Sequence, residues 1–188
     1  MTQWAIYKKE WLFTIRDNEH DLEKACHYLL QALNSYRLVS PEDGRAELRD
    51  IAMILQELAL NSFTRDDYES GERYCYQALA RYKLLEDLME VADTFAILGA
   101  IFSFSNNYYN AQENYEMCIQ MKEDSCSEET HFANALHHLG DLYQAHGQRD
   151  KACDAYSRSI EIFLMADPEH QFVNEMQRYL AIRPGPVQ

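Results

Sequence analysis

The amino-acid sequence predicts an all-α protein made of four antiparallel helical hairpins followed by a closing helix. Three observations carry this prediction. A pattern of small and large residues recurs along the chain, polar turns fall at one register within each copy, and helix breakers are scarce. Only six Gly and four Pro occur in 188 residues, and two of the prolines sit in Arg183-Pro184-Gly185-Pro186. Long helices joined by short turns suit such a composition.

The recurring pattern is clearest near the C-terminus, where Leu139-Gly140-Asp141-Leu142-Tyr143 precedes a polar turn and then Ala152, Tyr156, Ser159 and Ile160. Upstream, Leu98-Gly99-Ala100-Ile101-Phe102 leads to Ala111, Tyr115, Cys118 and Ile119. Leu58-Ala59-Leu60-Asn61-Ser62 leads to Gly71, Cys75, Ala78 and Leu79. The faintest copy pairs Leu12-Phe13-Thr14-Ile15-Arg16 with Ala25, Leu29, Ala32 and Leu33. The order small, large, small, aliphatic therefore returns at intervals of 46, 40 and 41 residues. Offsets of three and four put these side chains on one helical stripe. Small residues let two helices approach closely, and the large residue fills the space between them.

Each second helix is preceded by Asp17-Asn18, Arg65-Asp66-Asp67, Ser105-Asn106-Asn107 or His146-Gly147-Gln148. Leu22, Tyr68, Tyr108 or Arg149 follows at the same register, and Arg149 is expected to pack through its stem. Ser40-Pro41-Glu42-Asp43 and Asp167-Pro168-Glu169 read as helix starts, with an N-cap, Pro at the first helical position and an acid nearby. In the last helix Phe172, Val173, Met176 and Leu180 make an apolar stripe, while Glu175, Gln177 and Arg178 face away. A stacked repeat leaves its last apolar face bare, so this helix is expected to cap it.

These residues resemble the tetratricopeptide repeat family, through Leu98-Gly99, Phe102, Ala111, Tyr115, Leu139-Gly140, Tyr143, Gly147, Ala152 and Tyr156. The spacing of about 40 resembles the longer-helix branch of kinesin light chains, LGN-type adaptors and Rap-type regulators. The resemblance implies a right-handed solenoid of hairpins at about 1–38, 41–85, 88–123 and 127–166, with a capping helix at about 168–182. Residues 1–182 then form one domain, and 183–188 a flexible tail.

In such a solenoid the first helix of each hairpin lines a concave groove. The family's inner-wall offsets fall on Met53, Gln56, Leu60 and Phe63 in the second hairpin, and on Asp93, Ala96, Ala100 and Ser103 in the third. In the fourth they fall on Asn134, His137, Asp141 and Gln144, and in the first on Tyr7, Glu10, Thr14 and Asp17. This wall would suit a partner protein or peptide with an apolar anchor and nearby Lys or Arg. An extended peptide and a helix both remain compatible. None of these positions is Lys or Arg, so gripping the acidic tails of heat-shock chaperones is not expected. The bland alternative is that these are solvated helix faces.

Charge narrows the partner class. Seventeen Lys and Arg against 31 Asp and Glu give a net charge of −14, which disfavours nucleic acid and anionic membranes. The first ten residues lack the basic-then-apolar order of a signal peptide, pointing to a cytoplasmic location. Cys26, Cys75, Cys118, Cys126 and Cys153 form no CxxC pair and read as reduced structural thiols.

No cofactor and no catalytic group are expected. Six scattered Gly supply no phosphate loop. Of His131, His137, His138 and His146, His137 shares a helical face with Asp141, while His138 is expected to point elsewhere, so a solvated or paired histidine is preferred to a metal ligand. Tyr74, Tyr76, Tyr108 and Tyr109 are expected to serve in packing between helices, the alternative being a second contact surface on the convex side. The function expected is a non-enzymatic scaffold or adaptor. The alternatives are a self-assembling component, pairing through Trp4, Trp11 and Phe13 or through the last helix, and a peptide-sensing regulatory domain.

Overall fold

The stripes that predict hairpins are buried, and they are buried at every copy the structure describes. The computed structural model describes residues 24, 27–31, 33–34, 44–124, 130–166 and 171–181. Among them are seven bounded helices and no strand: α1 (Gly44–Thr64), α2 (Tyr68–Leu85), α3 (Leu88–Phe104), α4 (Tyr108–Asp124), α5 (Thr130–Ala145), α6 (Arg149–Ala166) and α7 (Gln171–Ala181). Residues 27–31 are helical too, and Leu29 and Leu33 are buried. The first helix of the first hairpin, its Trp4, Trp11 and Phe13, its Tyr7, Glu10, Thr14 and Asp17, both Pro-containing helix starts and the tail 183–188 lie outside the described residues.

Contacts divide the chain into two compact units, Met1–Ile101 and Phe102–Gln188, with the boundary inside α3. In the first unit α1 packs along α2. Gly71, Cys75, Ala78 and Leu79 of α2 are all buried, against a face of α1 that buries Leu55, Leu58, Ala59 and Ser62. Gly71 is small for a reason. A Cβ there would stand 3.1 Å from Ile101 Cδ1 and 3.4 Å from the Ala59 carbonyl oxygen. Tyr82 is fully buried, and its hydroxyl donates to Gln56 Oε1 at 2.9 Å, which satisfies the one polar atom of that ring.

In the second unit α5 packs along α6, α4 packs on α5, and α7 covers α6. Ala111, Tyr115, Cys118 and Ile119 are buried on α4, and Ala152, Tyr156, Ser159 and Ile160 on α6. Ser159 Oγ donates to the Ala133 carbonyl at 2.7 Å, so the second small position also ties the two helices together. A Cβ on Gly140 would fall 2.5 Å from Tyr156 Cε1, inside the ring's van der Waals surface. Val173 and Met176 of α7 are buried as the capping stripe requires.

The polar turns share one geometry. Asp66, Asn106 and Gly147 take the left-handed conformation, with φ of 59°, 58° and 70°. The next amide in each case bonds back to a carbonyl five residues earlier: Asp67 to Ser62 at 2.9 Å, Asn107 to Phe102 at 2.8 Å, Gln148 to Tyr143 at 2.8 Å. Asp and Asn are the non-Gly residues that tolerate this region best. Asp67 Oδ1 then accepts from the Ser70 amide at 3.2 Å and caps α2.

Two packing expectations are corrected. Tyr76 and Tyr109 are 50% and 73% exposed, since each lies on the side of its helix turned away from the hairpin stripe. Arg149 does not pack only through its stem: its guanidinium lies 4.9 Å from the centroid of the Tyr179 ring. The cationic group itself makes the apolar contact, across the ring's negative face.

Replacing Gly140 by Ala should destabilise the protein by about 1–3 kcal/mol, because the new methyl must displace the Tyr156 ring. Ala at Gly44, where a Cβ meets nothing within 4 Å, is the control and should change stability by less than about 0.5 kcal/mol. Urea unfolding of the two variants tests this difference.

Candidate functional site

The residues singled out from the sequence fall on two faces, one in each unit. On α1, Met53 and Leu60 are 37% and 39% exposed, although both are large and apolar. Phe63 is half-buried, its ring centroid 6.2 Å from that of Tyr68. Gln56 is held by the Tyr82 hydroxyl. On α3, Asp93, Ala96 and Ala100 are half-buried, as is Ser103 beyond the unit boundary.

Beside Asp93, which the sequence analysis named, this first face carries Glu57, which it missed. Glu57 stands between Met53 and Leu60 on one helical stripe of α1, at offsets of four and three. Burial pushes its carboxyl above the ordinary value near 4.5, and the negative charge of Glu90 on α3 pushes it further. A carboxylate in that position gains from any cation brought beside it. The i, i+4 relation of Glu57 to Met53 was the available signal.

On the second face the structure draws His137, Asp141 and Gln144 of α5 into one cluster with Tyr156 of α6. The Tyr156 hydroxyl donates to Asp141 Oδ1 at 2.7 Å and lies 2.9 Å from Gln144 Oε1. Asp141 Oδ2 faces two imidazoles, 3.6 Å from His137 Nδ1 and 3.8 Å from His138 Nδ1. Partial burial would raise the Asp141 carboxyl. The His138 ring and the Tyr156 hydroxyl, aided by the charges of both histidines, overcome this and hold it below its ordinary value. Burial, then the bond to Asp141, pushes the Tyr156 phenol far up, so it stays a donor.

His138 therefore does not point elsewhere, as the sequence reading held. The i, i+3 spacing of His138 and Asp141 brings them together as effectively as the i, i+4 spacing of His137. Among the described residues, His137 is the one predicted groove residue that is buried, at 4% exposure. Its ring lies flat on Phe172 of α7, with centroids 4.0 Å apart and planes at 8°. Asn134 is half-buried, and Asp141 and Gln144 are exposed. These three and His138 are what a ligand on this face would meet.

Elsewhere in the second unit a cavity of about 600 Å³ opens between α4, α5 and α6. Glu116, Glu123, Asp150, Lys151, Asp154 and Arg158 make its charged lining. Tyr143 donates to Glu116 at 2.9 Å, Lys151 covers the Tyr143 ring, and Arg158 pairs with Glu123. Burial pushes the Cys75 thiol up to about 12, with Glu72 adding to it, as befits an inert core thiol. Cys118 is also buried and Cys153 half-buried, and none of the three is in a disulfide; Cys26 and Cys126 lie outside the described residues.

Small-on-large hairpin packing and repeated left-handed turns are the geometry of a tetratricopeptide-like helical-repeat fold. Residues 133–163, which span most of α5 and α6, match the tetratricopeptide repeat family model. No curated protein sequence matches the chain. The fold is shared with the apo form of RapI, at 17% identity and a TM-score of 0.79 over 95% of this chain and 62% of that one. BtubC (BKLC) from P. vanneervenii is 20% identical with a TM-score of 0.73, over 88% of this chain and 66% of its own. A kinesin light chain with TPR-like repeats from Podosopora anserina is 16% identical with a TM-score of 0.73, over 96% and 86%. The chain thus spans just under two thirds of the first two of these proteins. Among the described residues, no helix is long and apolar enough to cross a membrane.

Glu57→Gln should stabilise the protein at pH 7 and leave it unchanged below about pH 4. The unfolded chain titrates Glu57 near 4.5 and the folded chain above that, so the folded state holds this proton longer. Stability from this group is lost as pH rises through the folded value, and the amide removes the loss. Thermal melts of both forms across this pH range would check the sign.

Proposed function

We propose that the chain is a non-enzymatic interaction module that binds a peptide segment or helix of a partner protein on the exposed faces of its first helices. The observation that supports this most is the stripe Met53–Glu57–Leu60. It combines two large apolar side chains open to solvent with a carboxylate that Glu90 and burial leave in want of a cation. Such a stripe suits an aliphatic or aromatic anchor followed or preceded by Lys or Arg. Asp93 on α3 extends the acidic character, and the small Ala96 and Ala100 leave room for a backbone or a side chain. On the second unit Asn134, Asp141 and Gln144 supply acceptors and donors for polar groups. The net charge of −14 favours encounter with a basic segment. Location in the cytoplasm is part of the same proposal.

Selection from a displayed random-peptide library tests this reading. Enriched peptides should carry an apolar residue within a few positions of Lys or Arg. Binding should fall at least tenfold for Leu60→Glu and for Glu57→Lys, each with an unchanged helical circular-dichroism spectrum, and persist for Tyr109→Ser on the other side of its hairpin. Peptides lacking basic residues, or equal binding by all variants, would overturn it.

A further inference from the structure

We propose that His137, His138 and Asp141 form a binding site for one divalent cation of the zinc type. The three residues each offer one ligand atom, and those atoms lie within 4.8 Å of one another. Both imidazoles turn Nδ1 towards the same carboxylate oxygen, at 3.6 and 3.8 Å. These separations are too long for charge-assisted hydrogen bonds, which close at about 2.8 Å. They are close to the spacing of about 3.3 Å between ligand atoms that each stand 2.0–2.1 Å from one tetrahedral centre. The two imidazoles, whose ligand atoms lie within 4.8 Å of each other, reach that spacing by side-chain rotations of up to about 1.5 Å.

The surroundings are those of a built ligand set. Asp141 divides its oxygens: Oδ1 accepts from Tyr156 at 2.7 Å, and Oδ2 is left facing the histidines. Carboxylate ligands are oriented by such outer hydrogen bonds. The Phe172 ring, stacked at 4.0 Å, fixes the plane of His137. The His137 side chain is 5% exposed, while those of His138 and Asp141 are 43% and 48% exposed. The cation would thus rest on one buried ligand and two at the surface, with a fourth position open to solvent. Two imidazoles and one carboxylate suit zinc and its first-row neighbours, and disfavour Ca²⁺ and Mg²⁺, which take oxygen ligands. Three of the four positions come from a single helix, α5, so the site needs only the hairpin and α7 in place. It shares Asp141 with the surface proposed above for a partner, but its test is separate, since the cation binds the chain without a partner.

The test is titration of the chelator-treated chain with Zn²⁺ alone by calorimetry, and with Co²⁺ by visible absorption. One equivalent should bind, with a Co²⁺ spectrum of nitrogen and oxygen ligation. His138→Ala and Asp141→Asn should each weaken binding at least tenfold, while His131→Ala leaves it unchanged. Both ligand variants change residues close to half exposed, and their metal-free melts report whether the fold survives. A readout free of substitutions is the imidazole NMR spectrum of the unaltered chain, in which two histidines should shift together on adding one equivalent of Zn²⁺. Binding that is undiminished in both variants, thiolate bands in the Co²⁺ spectrum, or no saturation by about a millimolar Zn²⁺ would overturn the assignment.

Discussion

The contact between Gly140 and the face of the Tyr156 ring sets the separation of α5 and α6, and much of the second unit follows from it. With no Cβ in the way, the ring lies where a methyl group would stand 2.5 Å from Cε1. Packing that close lets Ser159 reach the Ala133 carbonyl and lets the Tyr156 hydroxyl emerge beside Asp141 and Gln144. Gly71, under Ala59 and Ile101, plays the equivalent part in the first unit, with the small residue now on the second helix. Core shape and surface chemistry are therefore not separate layers here. One aromatic side chain fills the interior and presents its oxygen to the exterior.

Most of the fold could be read from the sequence because close packing leaves a periodic trace. Twelve small, large and aliphatic positions on α2, α4 and α6 were singled out by spacing alone, and all twelve are buried. The turns were legible too, since Asp66, Asn106 and Gly147 are residue types that tolerate a positive φ. What periodicity could not supply was the fate of polar atoms on large residues. Tyr156 reads as a filler of space, and nothing in its position announces that its hydroxyl joins Asp141. Likewise Tyr76 and Tyr109 count as apolar in a pattern yet stand largely in water.

The candidate faces were legible to a smaller degree. Offsets along α1 and α5 identified residues that are for the most part accessible, but treated each as an independent side chain. The electrostatic company of Glu57 depends on Glu90, thirty-three positions away and on another helix, and that relation has no local signature. His137 is buried because α7 returns to cover it with Phe172, a contact that arises only once the chain is closed. The failure over His138 was different in kind. Its relation to Asp141 is local, an i, i+3 pair as plain in the sequence as the i, i+4 pair of His137.

The left-handed turns within the hairpins, at Asp66, Asn106 and Gly147, are closed by backbone bonds, from an amide to a carbonyl five residues earlier. Their side chains are Asp, Asn and Gly, so the reversal asks little of chemistry and much of geometry. A chain built this way keeps its architecture as a rhythm more than as a vocabulary. Residues between the beats are free to drift, which accounts for how the same fold can persist in proteins that share no more than a fifth of their letters with this one.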